Sequence, residues 1–383
     1  MTRIAANSTI PARSRGFGAP GRYFQGPGLI QKLPHFSSQL GGFAYILSDP
    51  FFEKSLIPEI STLFMRQDFP LATSIFYGEV TDAEILRVKN DVSSTGASVV
   101  IGLGGGKTID TIKAVANELK LPLIIVPTTA STDAPCSSLS VIYSEDGQHS
   151  GVRWYTRSPD IVLVDSELII GAPIKYLVAG IGDALSTYFE TKANAESHSR
   201  NYINFDIDGG YLPSITGTEI ARVSYEILRR DSLQAIEDII AGQLTNEVEN
   251  IIEVNILLSG LGFENNGCAG AHSINDGITA APGGAKVLHG ERVAFGVIVQ
   301  LIAENKPTEF VIDIAQFCLA VGLPITLGEM KIESTEENLE LIAKGSMHSN
   351  WSREPFDVTW EQVKGWIRQA DDLGMGILLE SIA

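Results

Sequence analysis

The most constraining feature of the sequence is a glycine cluster that joins a β-branched apolar run to a helical pattern within residues 97–110. The run at Val99, Val100 and Ile101 is typical of a buried strand, and Ile109 begins the apolar side of the helix. Glycines let the backbone approach a ligand closely, and a helix N-terminus offers unpaired N–H groups and a positive dipole end. The stretch therefore predicts a phosphate-binding turn.

Two familiar phosphate motifs do not match this turn. A Walker A loop would need glycine where Ile101 stands, and a GxGxxG motif that starts at Gly102 would need glycine where Lys107 stands. The alternative is a tight strand–helix turn that holds no ligand. Three consecutive glycines followed by Lys107 and Thr108 favour a phosphate cradle of another kind.

The composition excludes several classes of protein. A chain of 383 residues is long enough for two domains, and its net charge of −18 argues against nucleic acid or an anionic membrane as partner. Three cysteines far apart, Cys136, Cys268 and Cys318, indicate a reducing compartment and no disulfide framework. Because no apolar run is long enough to span a bilayer, we expect a cytoplasmic protein. We interpret about the first dozen residues as a disordered start.

The order of elements predicts the fold class. Strand patterns alternate with helical patterns from residue 43 to about 165, which is typical of a parallel sheet covered on both faces. The strands are predicted at 43–48, 74–77, 98–101, 123–126 and 161–164, the helices at 51–66, 81–94 and 108–119, and an inserted hairpin at 139–155. Later patterns are helical, at 173–197, 215–240, 244–262, 287–304, 308–320, 335–345 and 359–372. We therefore predict an α/β domain over 1–170 and an all-α domain over 171–383.

Ligands of parallel sheets bind beyond the carboxyl ends of the strands. Asp49 follows the first predicted strand, and a carboxylate there can accept hydrogen bonds from a ribose. The glycine cluster follows the third strand, and a loop rich in hydroxyl groups at 127–135 follows the fourth. The alternative for this last loop is a turn whose Ser and Thr side chains bond local backbone groups.

A second group of residues has the chemistry of a metal site. Asp183 lies in an otherwise apolar helical pattern, where a lone buried carboxylate is costly unless it is paired or bound to a metal. His272 and His289 are each set among small residues. Two imidazoles and one carboxylate suit a divalent cation with one position open for substrate. The alternative is a pair of hydrogen-bonded core histidines, because the spacing matches no compact metal motif.

Six segments carry a resemblance over nearly the whole chain. They are residues 22–28, 104–110, 127–143, 180–187, 259–264 and 289–296. Together they resemble the glycerol dehydrogenases of the metal-dependent, iron-containing-type alcohol dehydrogenase superfamily. The resemblance implies a Rossmann-like N-terminal domain and a helical C-terminal domain with a cleft between them, which is the dehydroquinate synthase-like architecture.

The resemblance also assigns roles to individual residues. It implies that Asp183, His272 and His289 are catalytic metal ligands, usually for zinc and less often for iron or manganese. It implies that Asp133, also catalytic, contacts the hydroxyl groups of the polyol substrate. The positions that it assigns to NAD are Asp49, Gly104, Gly105, Gly106, Lys107, Asp110, Thr128, Thr129, Ser131, Ser137, Leu139 and Tyr143.

The sequence departs from the family pattern at two positions beside the metal ligands. Some iron-dependent relatives place a third histidine four residues after the aspartate, where this chain has Thr187. This favours a site of two histidines and one carboxylate, and zinc over iron. Many glycerol dehydrogenases place a histidine where this chain has Asn275, so proton handling around the site is expected to differ.

The implied reaction is NAD-dependent oxidation of the secondary hydroxyl of glycerol to dihydroxyacetone. The metal would polarise the hydroxyl as a Lewis acid, and the nicotinamide would accept the hydride. The alternatives are oxidation of another vicinal diol or amino alcohol, a dehydroquinate synthase-like lyase, and a catalytically silent relative. The lyase would need a dense cluster of basic residues near the metal ligands, and the sequence offers only Lys192, Lys286 and Arg292 there. We expect a homo-oligomer, as family members commonly form.

Overall fold

The computed structural model describes residues 11–145, 147, 149–348 and 350–382. The expected disordered start therefore falls largely outside the described residues. Contacts within the chain divide it into two compact units. Among the described residues, one unit contains those within 18–173 and 203–207, and the other contains those within 11–17, 174–202 and 208–382.

The first unit is built on a parallel sheet, as the alternating pattern predicts. Within the described residues its six strands are β1 (Arg22–Gly26), β2 (Ala44–Ser48), β3 (Leu71–Ile75), β4 (Val99–Gly104), β5 (Leu123–Pro127) and β8 (Ile161–Asp165). Their order in the sheet is β1-β8-β5-β4-β2-β3, and every pair is parallel. The chain leaves β2 in one direction for β3 and returns to its other side at β4, so the order reverses between β2 and β4.

Helices and a hairpin complete this unit. The helices are α1 (Leu33–Ser38), α2 (Leu56–Arg66), α3 (Asp82–Thr95), α4 (Gly106–Leu119) and α5 (Ser166–Ile170). The predicted hairpin is present as the antiparallel pair β6 (Leu139–Tyr143) and β7 (His149–Trp154). Strands β2, β4, β5 and β8 are buried along their whole length, which explains their continuous apolar runs.

Two strands differ from the pattern-based expectation. Strand β3 pairs with β2 through residues 71–75, and the chain then leaves the sheet, so that Tyr77 is exposed. The aromatic pair Phe76 and Tyr77 led to a predicted start at residue 74, three residues after the observed start at Leu71. Strand β1 was not predicted because polar residues interrupt it, and it lies at the sheet edge, where it pairs with β8 alone.

The second unit is helical, as expected. Its described helices include α6 (Ile174–Glu196), α8 (Ile215–Ile240), α9 (Asn246–Glu253), α10 (Ser259–Asn266), α11 (Gly270–Ile278), α12 (His289–Ala303), α13 (Thr308–Ala320), α14 (Glu336–Ser346) and α15 (Trp360–Ile382). A short helix, α7 (Phe205–Asp208), lies where the chain passes between the two units. A π-helical turn over Val254–Leu258 joins α9 to α10.

Helix α11 was not predicted, although it carries His272. Its sequence contains Gly270, Ser273, Asn275 and Gly277, which are weak helix formers. Long-range contacts stabilise it instead, because side chains from distant segments accept bonds from its first N–H groups. Helix propensity alone therefore does not predict α11.

Two findings bear on the composition-based expectations. Cys136, Cys268 and Cys318 are buried, and none of the three forms a disulfide. Among the described residues, no helix is both long enough and apolar enough to cross a membrane.

Candidate active site

Asp49 lies beside the glycine cluster at the point where the strand order reverses. The register pairs Ser48 of β2 with Leu103 of β4, and the Asp49 N–H donates to the Leu103 carbonyl at 2.9 Å. The Asp49 carboxylate also accepts a bond from the Phe51 N–H at 2.9 Å, which fixes its direction. In parallel sheets this reversal is where nucleotides bind.

The glycine cluster forms a turn into the N-terminus of α4. The first intrahelical bond runs from the Ile109 N–H to the Gly105 carbonyl at 3.1 Å, so the N–H groups of the first turn have no intrahelical partner. A Cβ added at Gly105 would meet no atom within 4 Å, and one added at Gly106 would come no closer than 3.7 Å to Thr132 Oγ1. The turn is thus open in front of the helix end, which fits the pyrophosphate of a dinucleotide. Lys107 is half exposed and pairs with Glu79 at 2.6 Å.

The hydroxyl-rich loop starts next to the same turn. The Thr128 N–H donates to the Gly104 carbonyl at 3.1 Å, and the hydroxyl groups of Thr129 and Ser131 lie 3.1 Å apart. Asp133 is partly exposed and precedes a short 3-10 turn, Ala134–Cys136. The structure therefore places this loop at the same edge of the sheet as Asp49 and the glycine cluster.

Three of the residues assigned to NAD lie in a buried network around Lys113. The Lys113 ammonium lies 3.3 Å from Asp110 Oδ1, 3.0 Å from Ser137 Oγ and 2.9 Å from the Leu139 carbonyl. Asp110 Oδ2 accepts a bond from the Val141 N–H at 3.0 Å, and burial raises the pKa of Asp110. This network fastens α4 to the start of the hairpin that carries Tyr143. Lys113 was not predicted from the sequence, because it lies among the apolar residues of α4.

Close contact between α6 and α12 brings the first two metal-ligand candidates together. A Cβ at Gly182 would collide with the Gly290 carbonyl oxygen, and a Cβ at Gly290 would collide with the Ala179 carbonyl oxygen. Only glycine permits this separation of the two backbones. Asp183 follows Gly182 on α6, and His289 precedes Gly290 on α12. The contact between the two glycines therefore places the side chains of Asp183 and His289 side by side.

The three ligand candidates converge on one point. Asp183 Oδ1 lies 3.1 Å from His289 Nε2 and 3.6 Å from His272 Nε2. Asp183 is 1% exposed, yet neither of its carboxylate oxygens makes a hydrogen bond to any described residue. Two imidazole nitrogens face this buried carboxylate, and a cation held between the three groups would satisfy it. The donor set of one oxygen and two nitrogens fits a divalent transition metal.

The charges of these groups are coupled. Burial alone would raise the pKa of Asp183, but His289 and His272 hold that pKa well below its usual range. Burial alone would lower the pKa of His272, but Cys268, Glu190 and Asp183 raise it well above its usual value. A metal bound to His272 and Asp183 would compete with protons for the same atoms.

The sequence reading missed Glu190, whose carboxylate contacts His272. The two residues meet at 2.8 Å, from Glu190 Oε2 to His272 Nδ1. Glu190 lies seven residues after Asp183, about two helical turns along the same face of α6. The sequence could have indicated Glu190, because it is a second acid on the apolar face of α6.

The two departures from the family pattern are part of the framework around the site. Thr187 is buried, and its hydroxyl lies 3.2 Å from that of Ser259. Asn275 is buried and accepts a bond from Arg292 Nε at 2.9 Å. Arg292 also donates to the Val287 carbonyl at 2.6 Å, so it ties α11 to the segment before His289.

Known proteins resemble the chain over nearly its full length. Residues 20–166 match the family model described as iron-containing alcohol dehydrogenase. A glycerol dehydrogenase from Thermotoga maritima is 41% identical over 93% of this chain and 96% of its own length. A glycolaldehyde reductase from Halobacterium salinarum is 36% identical over 94% of this chain and 97% of its own length.

A solved structure shares the fold as well as the sequence. The crystal structure of glycerol dehydrogenase from Schizosaccharomyces pombe matches with a TM-score of 0.91 at 33% identity, over 96% of this chain and 93% of that chain. Identity above 30% across almost the whole of both proteins shows membership of one family as well as a shared fold. The chain belongs to the iron-containing alcohol dehydrogenase family.

Proposed function

We propose that this protein is a dehydrogenase that oxidises the secondary hydroxyl of glycerol to dihydroxyacetone with NAD as the acceptor. The observation that carries the proposal is Asp183, a buried carboxylate whose oxygens make no hydrogen bond to any described residue and face the Nε2 atoms of His272 and His289. Relatives named as glycerol dehydrogenases cover almost the whole chain and support the choice of substrate.

When bound, a divalent cation would polarise the alcohol oxygen and the nicotinamide ring of NAD would accept the hydride. The protein's own residues bind and orient. Asp183, His272 and His289 would hold the cation and leave a position open for the alcohol. Asp133 would accept a hydrogen bond from a neighbouring hydroxyl and so favour polyols over simple alcohols.

Residues around the glycine cluster would hold the dinucleotide. The first turn of α4 offers N–H groups to the pyrophosphate, and Lys107 adds a positive charge in a strongly acidic protein. Asp49 would accept hydrogen bonds from the adenosine ribose and repel a 2′-phosphate, which favours NAD over NADP.

We infer that the native metal is zinc. Thr187 lies where iron-dependent relatives place a third histidine, and its hydroxyl is next to Ser259. Three protein ligands with one open position are typical of catalytic zinc. Iron and manganese are the alternatives that metal analysis of the purified protein would reveal.

The test is NADH formation from NAD and glycerol before chelation, after chelation, and after return of zinc, iron or manganese to separate samples. We expect activity that disappears on chelation and returns best with zinc. The Asp183→Asn variant is the matched control, because it retains the shape of the side chain but loses the charge. Activity that survives complete metal removal would contradict the proposed role of the metal.

A substrate panel separates the alternatives. It contains glycerol, other vicinal diols, an amino alcohol, and glycolaldehyde with NADH, the last because a relative is named as a glycolaldehyde reductase. The largest kcat/KM on a substrate other than glycerol would contradict the proposed substrate. Metal binding with no activity on the whole panel would favour the lyase or the silent relative.

We also infer a cytoplasmic homo-oligomer. Buried cysteines that form no disulfide suit a reducing compartment, and the exposed apolar side chains Ile215, Leu233 and Ile240 lie along α8. Light scattering on the purified protein measures the assembly, and a monomer at micromolar concentration would contradict it.

A further inference from the structure

Glu190 accepts from three donors while lying fully buried. Its Oε1 accepts bonds from the backbone N–H groups of Ala269 at 2.7 Å and His272 at 3.0 Å. Its Oε2 lies 2.8 Å from His272 Nδ1. One carboxylate on α6 therefore holds both the start of α11 and the ring of the histidine that α11 carries.

These contacts determine which nitrogen of His272 carries hydrogen. The Glu190 carboxylate already accepts two backbone N–H bonds, and a carboxylate oxygen next to the ring accepts as well, so the ring donates from Nδ1. In the neutral ring Nε2 then carries the lone pair, and Nε2 is the atom 3.6 Å from Asp183 Oδ1. This is the form of imidazole that binds a divalent cation.

We propose that Glu190 is the positioning residue of the metal centre, which sets the tautomer and the ring direction of His272. The inference rests on the metal site proposed above and adds a residue that does not itself bind the cation. The carboxylate acts through His272, and its contacts with Ala269 N–H and His272 N–H fix the backbone on which the ring is mounted.

The chemistry of the three donors explains why glutamine is a poor substitute. A carboxamide has one accepting oxygen and one donating NH₂ group. If the NH₂ group faces His272, Nδ1 must accept and Nε2 becomes protonated, which blocks the metal. If the NH₂ group faces the backbone, the N–H groups of Ala269 and His272 lose their acceptor inside the protein.

A different role for Glu190 is less well supported. Glu190, Cys268 and His272 also offer ligand atoms within 4.8 Å of one another, which is the composition of a second metal site. Both Glu190 oxygens are already engaged by N–H donors, however, and burial raises the pKa of the Cys268 thiol. A cation there would have to break these hydrogen bonds and ionise a thiol that favours its neutral form.

The same helix end provides a matched control. The Gly270 N–H donates to Glu354 Oε1 at 3.0 Å. Glu354 is buried like Glu190 and accepts from the same turn of α11, but its bond is to Gly270 and not to the His272 ring. Replacing either acid by glutamine changes a side chain that accepts from the start of α11, and only one of the two changes reaches the metal ligand.

The experiment measures zinc affinity of the full-length native, Glu190→Gln and Glu354→Gln proteins by competition with a chromophoric chelator at neutral pH. We expect the dissociation constant to rise about 10–100-fold for Glu190→Gln, the range found when outer partners of metal ligands are removed. We expect the Glu354→Gln value to remain close to the native one. Equal weakening in both variants, or none in Glu190→Gln, would overturn the proposal.

A second measurement is made on the native protein, and a variant serves only to assign the signal. Nitrogen-15 spectra of the native protein, labelled at histidine and loaded with zinc, report which nitrogen of His272 carries hydrogen, with His272→Gln used to assign the signal. We expect hydrogen on Nδ1 and zinc on Nε2, and the reverse would overturn the proposal. Two equivalents of zinc per native chain with a thiolate absorption band would also overturn it in favour of the Cys268 site.

These outcomes are separable from those of the proposed function. Native protein that binds zinc but oxidises none of the substrates contradicts the function and leaves the positioning role supported by the affinities. Native protein that oxidises glycerol with zinc while Glu190→Gln binds zinc normally contradicts the positioning role alone.

Discussion

At the scale of single residues, burial decides the charge state of Glu354, whose side chain accepts from the start of α11. Glu354 packs near Glu304 and Glu190, with Lys306 as the nearby cation. Burial first, and then repulsion from these acids, raise its pKa to about 8. The carboxyl is thus protonated at neutral pH, so that glutamine resembles its native state closely.

This shift predicts a stability that falls as pH rises. The native state keeps the Glu354 proton up to about pH 8, whereas the unfolded chain releases it near the ordinary pKa of about 4.3. In that window the unfolded state binds fewer protons, so the free energy of unfolding falls, by up to about 1.4 kcal/mol per pH unit. Glu354→Gln should lack this loss and become increasingly more stable than the native protein up to about pH 8.

Denaturant unfolding of both proteins at several pH values from 5 to 9 measures the difference, in which the contributions of other groups cancel. Parallel stability curves for the two proteins would show that Glu354 is ionised in the native state.

Asp49 is the residue that we expect to select the cofactor. Asp49→Asn retains an oxygen that can accept from the Phe51 N–H, so the short turn after β2 keeps its bond. It loses the negative charge that would repel a 2′-phosphate. We expect the ratio of kcat/KM for NAD to that for NADP to fall at least about tenfold, which corresponds to about 1.4 kcal/mol. Asp49→Gly should relax the preference further, because it also removes the acceptor, and an unchanged ratio in both variants would refute the assignment.

At the scale of elements, the metal site depends on the contact between α6 and α12. Gly290→Ala would push the new methyl group into the Ala179 carbonyl and separate the two helices. We expect a loss of about 1–3 kcal/mol in stability, as for other overpacked positions, together with weaker zinc binding. Thermal unfolding and metal titration measure the two effects.

Gly376→Ala is the control for this prediction. Gly376 lies within α15, and a Cβ there would meet no atom within 4 Å. Alanine in an unobstructed helix position stabilises by about 0.5–1 kcal/mol relative to glycine, so this variant should be at least as stable as the native protein. Similar losses in both variants would mean that the contact between α6 and α12 has no special role.

How far the sequence predicts an element depends on where its stabilising contacts come from. Helix α8 begins and ends at the predicted residues, because its own apolar period and the Ser214 cap define it. Helix α11 was missed because Glu190, Gln300 and Glu354, all far away in sequence, satisfy its N-terminal N–H groups. The same holds for the buried Lys113 network, whose partners lie on separate segments.

At the scale of the whole molecule, a metal bound by Asp183, His272 and His289 would join α6, α11 and α12. A ligand that binds only the folded chain stabilises it, by about 4 kcal/mol when its free concentration is about 1,000 times its dissociation constant. We therefore expect chelation to lower the melting temperature of the native protein. Asp183→Asn should melt at the same temperature with and without chelator, and an equal response of both proteins would indicate that the chelator acts elsewhere.

The sequence by itself determined the features that depend on neighbouring residues along the chain. The β-branched runs specify buried strands, the glycines at 104–106 specify the open turn, and long apolar periods specify helices such as α6 and α8. The six shared segments identified the family, and they pointed to Asp183, His272 and His289 as candidate metal ligands.

Only the tertiary structure decided how those ligands are held. Asp183, His272 and His289 come from three helices, and they meet because Gly182 and Gly290 allow two backbones to touch. The role of the Glu190 carboxylate depends on donors at the start of α11, which lie more than 70 residues away in sequence. Such contacts are fixed by packing in three dimensions, which local propensity and spacing do not encode.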